Sequence, residues 1–274
     1  MGLYCEQAGL IMHRFFVENV ISADKTVSIT GEDVNHIASV LRLRVGDDIV
    51  VSDGSSRDYD CRITAIDIQN EIVTANIIDI NDNNSELPAD IYLFQGYPKG
   101  DKFELIVQKC VELGVHAVIP VMMDRTIVKL EEKKKDKKVQ RLRSISEAAA
   151  KQSRRGIIPE VMEVMTMKQA VAYAGSNMDY VIFPYELAEG MDNSRKMIYE
   201  ICDAVTKGIS ESGDDISKKK IGIFIGPEGG FAESEAEALQ GIGAYTISLG
   251  HRILRTETAG LMVLSVIGFL LDRD

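Results

Sequence analysis

IGIFIGPEGGF, residues 221–231, joins an apolar run typical of a β-strand to a loop with three glycines in five residues. Glycine permits positive φ and lets another group approach bare backbone, whereas proline fixes its own φ and removes an amide donor. The sequence Gly-Pro-Glu-Gly-Gly therefore predicts a stiff, shaped loop. Loops at strand ends are where α/β proteins bind ligands. A tight connection without a ligand is the alternative, and this stretch alone does not decide between the two.

The surrounding sequence, residues 89–274, alternates apolar β-type runs with helical patterns. In one helical pattern Phe103, Ile106 and Cys110 share a face, and the pattern ends at Gly114. Strands that alternate with helices predict an α/β fold with a mainly parallel sheet covered on both faces. The strand candidates are IYLFQGYP (91–98), AVIPVMM (117–123), YVIFPYE (180–186), IGIFIGPEGG (221–230) and AYTISLG (244–250).

The sequence before this region has a different pattern, with short β-branched runs separated by Gly, Asp and Asn. Such runs predict the strands of a small β-barrel. One helix is predicted among them, with Asp33 as its N-cap. The polar stretch NDNNSELP, residues 81–88, is typical of a linker. We therefore predict an N-terminal extension at residues 1–11, a small β-domain at residues 12–82 and an α/β domain at residues 89–274.

The composition of the chain disfavours several classes of function. The 274 residues are 45% hydrophobic and 27% charged, which is ordinary for a soluble globular protein. No apolar run has the length of a membrane span, and residues 1–11 lack the basic start and apolar core of a secretory signal. The four cysteines are widely spaced, without a Cys-x-x-Cys pair, and are expected to be buried small hydrophobes. We expect a reduced, cytoplasmic protein that binds neither a metal nor a membrane.

The charge of the chain is unevenly distributed. The net charge is −11, but residues 125–155 contain twelve basic and four acidic side chains. This segment therefore carries +8, and the remainder carries −19. A concentrated basic segment is one form of phosphate-binding surface. A solvated helix face is the alternative interpretation.

Three strand candidates end in distinctive loops: FPYE (183–186), GPEGG (226–230) and SLGHRILRTETAG (248–260). Because loops after parallel strands lie along one edge of the sheet, the three are expected to converge. None contains a phosphate-binding glycine motif, and the helix after Gly230 opens with glutamates that would repel a phosphate. The loops suit a ligand recognised by backbone hydrogen bonds and shape. S-adenosylmethionine is a ligand of that kind.

Six motifs along the chain carry a resemblance to a known family. They are MHRFF (12–16), HIASVLRLRVGD (36–47), PKGDKFELIVQKCVELGV (98–115), EAAAKQSRR (147–155), GPEGGF (226–231) and LGHRILRTETA (249–259). In this order and spacing they resemble the bacterial small-subunit ribosomal RNA uridine-N3 methyltransferases, the RsmE type of the SPOUT superfamily. The chain departs from the family at His251, where proline is usual. Residues 1–11 precede the usual start and are expected to be dispensable.

The resemblance implies a fold, a cofactor and partners. The first domain would be a PUA-like barrel that binds RNA, and the second a SPOUT α/β domain with a C-terminal trefoil knot. The knot would hold S-adenosylmethionine, the protein would be a homodimer, and 16S ribosomal RNA, within the small ribosomal subunit, would be the substrate. A non-catalytic RNA-binding or ribosome-assembly factor is an alternative, but it leaves the three loops unexplained. An enzyme that uses another nucleotide is disfavoured by the lack of phosphate motifs.

The candidate site residues come from these motifs. Cofactor contacts are expected from Phe183, Pro184, Gly226, Pro227, Glu228, Gly229, Gly230, Ser248, Leu249, Gly250, Ile253 and Leu254. RNA contacts are expected from Arg14, Arg42, Arg44, Lys99, Lys102, Arg154 and Arg155. Methyl transfer to N3 of uridine needs the deprotonated base, which a cation near O2 or O4 would stabilise. Arg252 and Arg255 are the catalytic candidates. Thr256 is interpreted equally as the N-cap of the last helix or as a catalytic residue, and His36 as a core or boundary residue.

Overall fold

The computed structural model describes residues 12–17, 20, 25–54, 57–128, 132–185, 190–212 and 217–272, and at 132–134 and 208–212 it describes the backbone alone. The expectations for residues 1–11 and for Glu186 lie outside the described residues. The chain divides into two compact units, Met1–Ser85 with Arg154–Ile157, and Glu86–Ser153 with Ile158–Asp274. That residues 154–157 belong to the first unit was not predicted from the sequence.

The first unit is built on a five-stranded sheet. Its strands are β1 (His13–Phe16), β2 (Thr26–Thr30), β3 (Asp48–Ser52), β4 (Arg57–Asp67) and β5 (Ile72–Asp82). The strand order is β1-β3-β4-β5-β2, with β1 parallel to β3 and the other neighbouring pairs antiparallel. Val27 and Ile29 alternate with exposed residues along β2, as a half-buried strand requires. They join a core that includes Phe15 and Cys61.

A short helical segment follows β2. It consists of α1 (Glu32–Asn35) and a π-helical turn (His36–Val40). Val34 and Ile37 are buried, as suits two apolar residues three positions apart on one helical face. Two details of the prediction are wrong. The N-cap is Gly31, whose φ of 75° turns the chain into the helix, so Asp33 lies inside it. His36 is exposed, because Val34 and Ile37 occupy the face that contacts the core.

The second unit is built on a parallel sheet. Its strands are β6 (Ala89–Gly96), β7 (Ala117–Met122), β8 (Glu160–Val161), β9 (Met165–Thr166), β10 (Tyr180–Pro184), β11 (Lys219–Ile225) and β12 (Tyr245–Ile247). The helices are α2 (Lys102–Glu112), α3 (Glu132–Gln152), α4 (Met167–Asn177), α5 (Met191–Ser212), α6 (Glu233–Gly241) and α7 (Thr256–Leu271). The strand order is β12-β10-β11-β6-β7-β8, β9 pairs with β7, and all of these pairs are parallel. The predicted α/β class is confirmed.

Parallel pairing brings the carboxyl ends of four neighbouring strands to one edge of the sheet. β10 lies between β12 and β11, and β6 lies on the other side of β11. Phe94 of β6 and Phe224 of β11 stack with ring centroids 4.2 Å apart, which packs these two strands in the core. The loops that follow β6, β10, β11 and β12 therefore start side by side.

Candidate functional site

The three loops chosen from the sequence begin at this edge and are joined by hydrogen bonds. The Tyr185 amide donates to the Ile247 carbonyl at 3.0 Å, which ties the end of β10 to the end of β12. The Ser248 amide donates to Ser194 Oγ, a buried hydroxyl of α5, at 2.8 Å. The structure therefore places the loops after β10, β11 and β12 together.

The loop after β11, residues 226–230, has the stiff shape that its glycines predict. A Cβ at Gly226 would lie 3.0 Å from the carbonyl carbon of Gly230, and Gly230 itself has a φ of +67°. The Gly230 amide donates to the Pro227 carbonyl at 2.9 Å and closes a turn. A side chain at Gly226 would meet the far end of the loop, and one at Gly230 would strain the backbone.

Two side chains connect the segment after β7 to this loop and to the start of α6. Arg125 Nη1 donates to the Gly229 carbonyl at 2.9 Å. Glu235, which is buried, accepts from the amides of Asp124 at 2.9 Å and Ala232 at 2.8 Å. From the sequence, the glutamates of α6 were expected only to repel a phosphate. The structure shows that Glu235 also holds the start of α6 against the segment after β7.

A charged cluster lies where the loop meets α2 and α7. Lys102 Nζ donates to Glu228 Oε1 at 3.0 Å and forms an ion pair with Glu257 Oε2 at 3.3 Å. Burial acts to raise the pKa of Glu228, but hydrogen bonds from the Lys99 amide and from Lys102 outweigh it and hold the pKa below its ordinary value. Glu228 is therefore anionic at neutral pH, and Lys102 contacts two carboxylates of its own chain.

A buried hydrogen-bond chain crosses the same edge. Gln95 Nε2, at the end of β6, donates to Thr256 Oγ1 at 2.8 Å, and Thr256 Oγ1 donates to the Gly226 carbonyl at 2.7 Å. Gln95 was missed in the sequence analysis, although a glutamine inside the apolar run IYLFQG was a visible signal. Thr256 is not the N-cap of α7. Arg255 is the N-cap, because its carbonyl accepts the Thr258 and Ala259 amides.

In the loop after β12, residues 251–253 and Arg255 are exposed, whereas Ser248, Leu249 and Leu254 are half-buried. Gly250 has a φ of +94°, which suits glycine at this turn. Ile253 is 94% exposed, and the Arg255 side chain is 80% exposed, with Nη1 3.9 Å from Glu257 Oε1. Arg252 is also exposed. Both catalytic candidates are thus accessible, and Arg255 is next in sequence to Thr256, whose hydroxyl contacts Gly226.

Two of the arginines expected to contact RNA, Arg14 and Arg155, instead have side chains buried within the first unit. Arg14 makes a two-pronged salt bridge to Asp58, at 2.6 and 2.5 Å, and its side chain is only 7% exposed. It also donates to the Arg155 carbonyl at 3.2 Å. Arg155 is 2% exposed, because residues 154–157 pack into this unit. Neither guanidinium is open to a phosphate, and both expectations are corrected.

The remaining expected contacts are more accessible. Arg42, Arg44, Lys99 and Arg154 are exposed. Within the basic segment, three side chains pair with acidic partners: Arg141 with Glu104, Arg143 with Glu163 and Lys151 with Glu147. These pairs reduce the positive charge that this segment presents. Lys129 lies outside the described residues.

Among the described residues there is no group of three or more His, Cys, Asp or Glu side chains that could hold a metal ion. In the same part of the chain, no helix is long and apolar enough to cross a membrane.

Comparison with known proteins identifies the class. Residues 85–268 match the RNA methyltransferase domain, and residues 29–71 match the RNA methyltransferase PUA domain. The parallel sheet, its loops and the small β-unit are thus those of an RNA methyltransferase with a PUA-like first domain. The chain belongs to the RNA methyltransferase domain family.

Individual proteins that are similar to this chain over most of its length share one name. Ribosomal RNA small subunit methyltransferase E of Bacillus subtilis is 36% identical over 261 residues, which cover 94% of this chain and 96% of that protein. The protein of the same name from Synechocystis sp. is 29% identical over 257 residues, covering 93% and 76%. The crystal structure of a ribosomal RNA small subunit methyltransferase E from Neisseria gonorrhoeae bound to S-adenosyl methionine has a TM-score of 0.75 at 28% identity, covering 94% and 98%. The resemblance inferred from the six motifs is confirmed.

Proposed function

We propose that this protein transfers a methyl group from S-adenosylmethionine to N3 of a specific uridine in 16S ribosomal RNA. The observation that carries the proposal is that the loops after β10, β11 and β12 start at one edge of the sheet. One of these loops is rich in glycine, and another exposes Arg252 and Arg255. The relatives support it, since proteins named ribosomal RNA small subunit methyltransferase E match nearly the whole chain, and one of them was crystallised with S-adenosyl methionine. We place the reaction in the cytoplasm, on the small ribosomal subunit.

The residues at this edge fit S-adenosylmethionine better than a phosphate-bearing nucleotide. Gly226 and Gly229 leave no room for a Cβ, which would lie 3.0 Å from Gly230 C or 2.9 Å from Arg125 Cβ, so a side chain at either position would push the loop out of its shape. Glu228 is an anion on the loop, and it favours a cationic ligand over a phosphate. We assign the cofactor to the 226–230 loop, to residues 248–250 with Ile253 and Leu254, and to Phe183 and Pro184. We also propose that the C-terminal part of the chain forms the trefoil knot of the SPOUT superfamily.

S-adenosylmethionine would supply a methyl group activated by its sulfonium. The protein would place uridine N3 in line with that methyl group and favour loss of the N3 proton to solvent. N3 would then take the methyl group, and S-adenosylhomocysteine would leave. A guanidinium beside O2 or O4 would stabilise the resulting anion. Arg252 and Arg255 are the candidates, because both are exposed on the rim of the cofactor loops. Since N3 lies on the Watson–Crick edge, a paired uridine would first have to leave its helix.

The RNA would be held by exposed cations. Within the first unit these are Arg42, Arg44 and Arg154, and within the second Lys99. Lys102 is a weaker candidate than the sequence suggested, because two carboxylates already share its ammonium group.

We further propose that the protein is a homodimer. A cavity of about 470 Å³ lies along α5 and α7 and is lined mostly by apolar side chains. Phe269 of α7 is 85% exposed and Val266 is 39% exposed, although both belong to the most apolar helix of the second unit. A second copy of α7 would cover this apolar face, as the SPOUT resemblance implies.

The function is tested with small ribosomal subunits from a strain that lacks this protein. Purified protein and S-adenosylmethionine are added, and the nucleosides of the 16S RNA are measured by mass spectrometry. We expect one equivalent of 3-methyluridine to appear. Gly229→Val is the matched inactive control, because a Cβ there would lie 2.9 Å from Arg125 Cβ in the loop wall. RNA binding without any methylated nucleoside would instead indicate a non-catalytic assembly factor.

A further inference from the structure

The hydrogen-bond chain Gln95–Thr256–Gly226 joins three elements at the candidate site. We propose that Gln95 and Thr256 are positioning residues that hold the 226–230 loop in its cofactor-binding shape, an inference that rests on the proposed function. Gln95 is the second-last residue of β6, Gly226 begins the loop after β11, and Thr256 begins α7 directly after the β12 loop. A single side-chain hydroxyl thus connects the two loops assigned to the cofactor.

The direction of each hydrogen bond is determined by its partners. Gln95 Nε2 lies 3.0 Å from the Gly96 carbonyl, which can only accept, so this side of the amide must be the donor. The Thr256 hydroxyl accepts from Nε2 at 2.8 Å and gives its single proton to the Gly226 carbonyl at 2.7 Å. Each donor hydrogen of these three hydrogen bonds has one acceptor, so a single arrangement satisfies all of them. The Gly226 carbonyl therefore points toward Thr256 at the start of α7.

Burial indicates that this arrangement does more than stabilise the fold. Gln95 is fully buried and Thr256 is 6% exposed. Within the described residues, Gln95 Oε1 is buried and accepts no hydrogen bond. An unpaired buried acceptor is unfavourable, and an apolar side chain would avoid it. What the glutamine supplies is directional contact with Thr256 and the Gly96 carbonyl, which an apolar residue cannot make.

The 226–230 loop packs directly against the end of β6, so a change in the direction of the Gly226 carbonyl would move the loop backbone. Gly96 lies so close to the loop that a Cβ there would be 2.5 Å from Pro227 N. The loop backbone therefore rests directly on the end of β6, and the Gly226 carbonyl decides which way the chain leaves β11. Without the Thr256 hydroxyl that carbonyl would lose this hydrogen bond, and the following residues would rotate away from the cofactor.

The test compares Thr256→Val, which keeps the side-chain shape and removes the hydroxyl, with Thr256→Ser, which keeps the hydroxyl. S-adenosylmethionine affinity is measured by calorimetry, at a temperature where circular dichroism shows each variant to be fully folded. We expect Thr256→Val to weaken binding by about tenfold or more and Thr256→Ser to stay within about threefold of the unmodified protein. RNA affinity is expected to change by less than about twofold in both. Saturating S-adenosylmethionine should restore most of the single-turnover rate of Thr256→Val.

Several results would overturn the proposal. A folded Thr256→Val variant with a lower melting temperature but unaltered S-adenosylmethionine affinity would assign Thr256 a purely structural role. Should that variant fail to fold, Gln95→Met provides the same measurement, since it removes the donor to Thr256 and keeps a side chain of similar size. Unaltered affinity in folded Gln95→Met would then refute the positioning role. Failure of the unmodified protein to bind S-adenosylmethionine would refute the proposed function itself, and so the two failures are distinguishable.

Discussion

Gly96→Ala tests how closely the cofactor loop depends on the end of β6. The added Cβ would lie 2.5 Å from Pro227 N, 2.7 Å from Pro227 Cδ and 2.9 Å from Gly226 C. These atoms belong to backbone or to a proline ring, so no flexible side chain can relieve the overlap. Ordinary van der Waals contact begins near 3.4 Å, and the loop must therefore move by roughly 1 Å. Such overpacking typically costs about 1–3 kcal/mol of stability.

The functional effect should exceed the effect on stability. A displacement of about 1 Å in a site that positions reacting groups lowers rates by about a hundredfold. We expect Gly96→Ala to remain folded by circular dichroism and to lose about that factor in single-turnover methyl transfer, with weaker S-adenosylmethionine binding by calorimetry.

The matched control for this substitution is Gly241→Ala. Gly241 ends α6, and a Cβ there would meet nothing within 4 Å. Its rate should be unaltered, and its stability unaltered or slightly higher, since alanine is the better helix former. A folded Gly96→Ala protein with the rate and cofactor affinity of the unmodified chain would refute this account of the loop.

Three further predictions follow from other surfaces. Arg252→Ala should lower single-turnover methyl transfer more than RNA affinity, and a full rate would remove Arg252 from the mechanism. Replacing Arg42 and Arg44 together with Ala should weaken RNA binding and flatten its salt dependence, because binding with fewer phosphate contacts releases fewer counterions from the RNA. Titrations at several salt concentrations measure the slope, and an unaltered slope would contradict an RNA contact by these two arginines. Phe269→Glu should shift the protein toward monomer in sedimentation, and a monomeric unmodified protein at micromolar concentration would refute the dimer.

The strand pattern and the class of fold could be predicted because they depend on local periodicity. TVSIT alternates as a half-buried strand, and Val27 and Ile29 are buried in β2. The three glycines of the 226–230 loop also act locally, through positive φ at Gly230 and close approach at Gly226. One local signal was overlooked. Thr166 and Gln169 form a capping box at the start of α4. This helix was not predicted, although the spacing of Thr166 and Gln169 in the sequence is a capping-box signal.

The partners of charged and polar side chains could not be predicted, because they come from distant parts of the chain. Arg14 looks like an RNA contact beside its neighbours in sequence, but it is bound by Asp58 on another strand. Lys102 likewise faces Glu228 and Glu257, more than a hundred residues away. The neighbours of an arginine in the sequence do not show whether its side chain is solvated on the surface or paired with a distant carboxylate.

The sequence by itself determined the alternation of strands and helices, the stiff GPEGG loop and the family resemblance, since each depends on residue type and short-range spacing. Only the tertiary structure decided that Thr256 accepts a hydrogen bond from Gln95 and donates one to the Gly226 carbonyl, and that residues 154–157 pack into the first unit with Arg155 buried. The physical reason is that a hydrogen bond needs two groups within about 3 Å of each other. Residues 95, 226 and 256 reach that distance only after the parallel sheet has brought the ends of its strands to one edge.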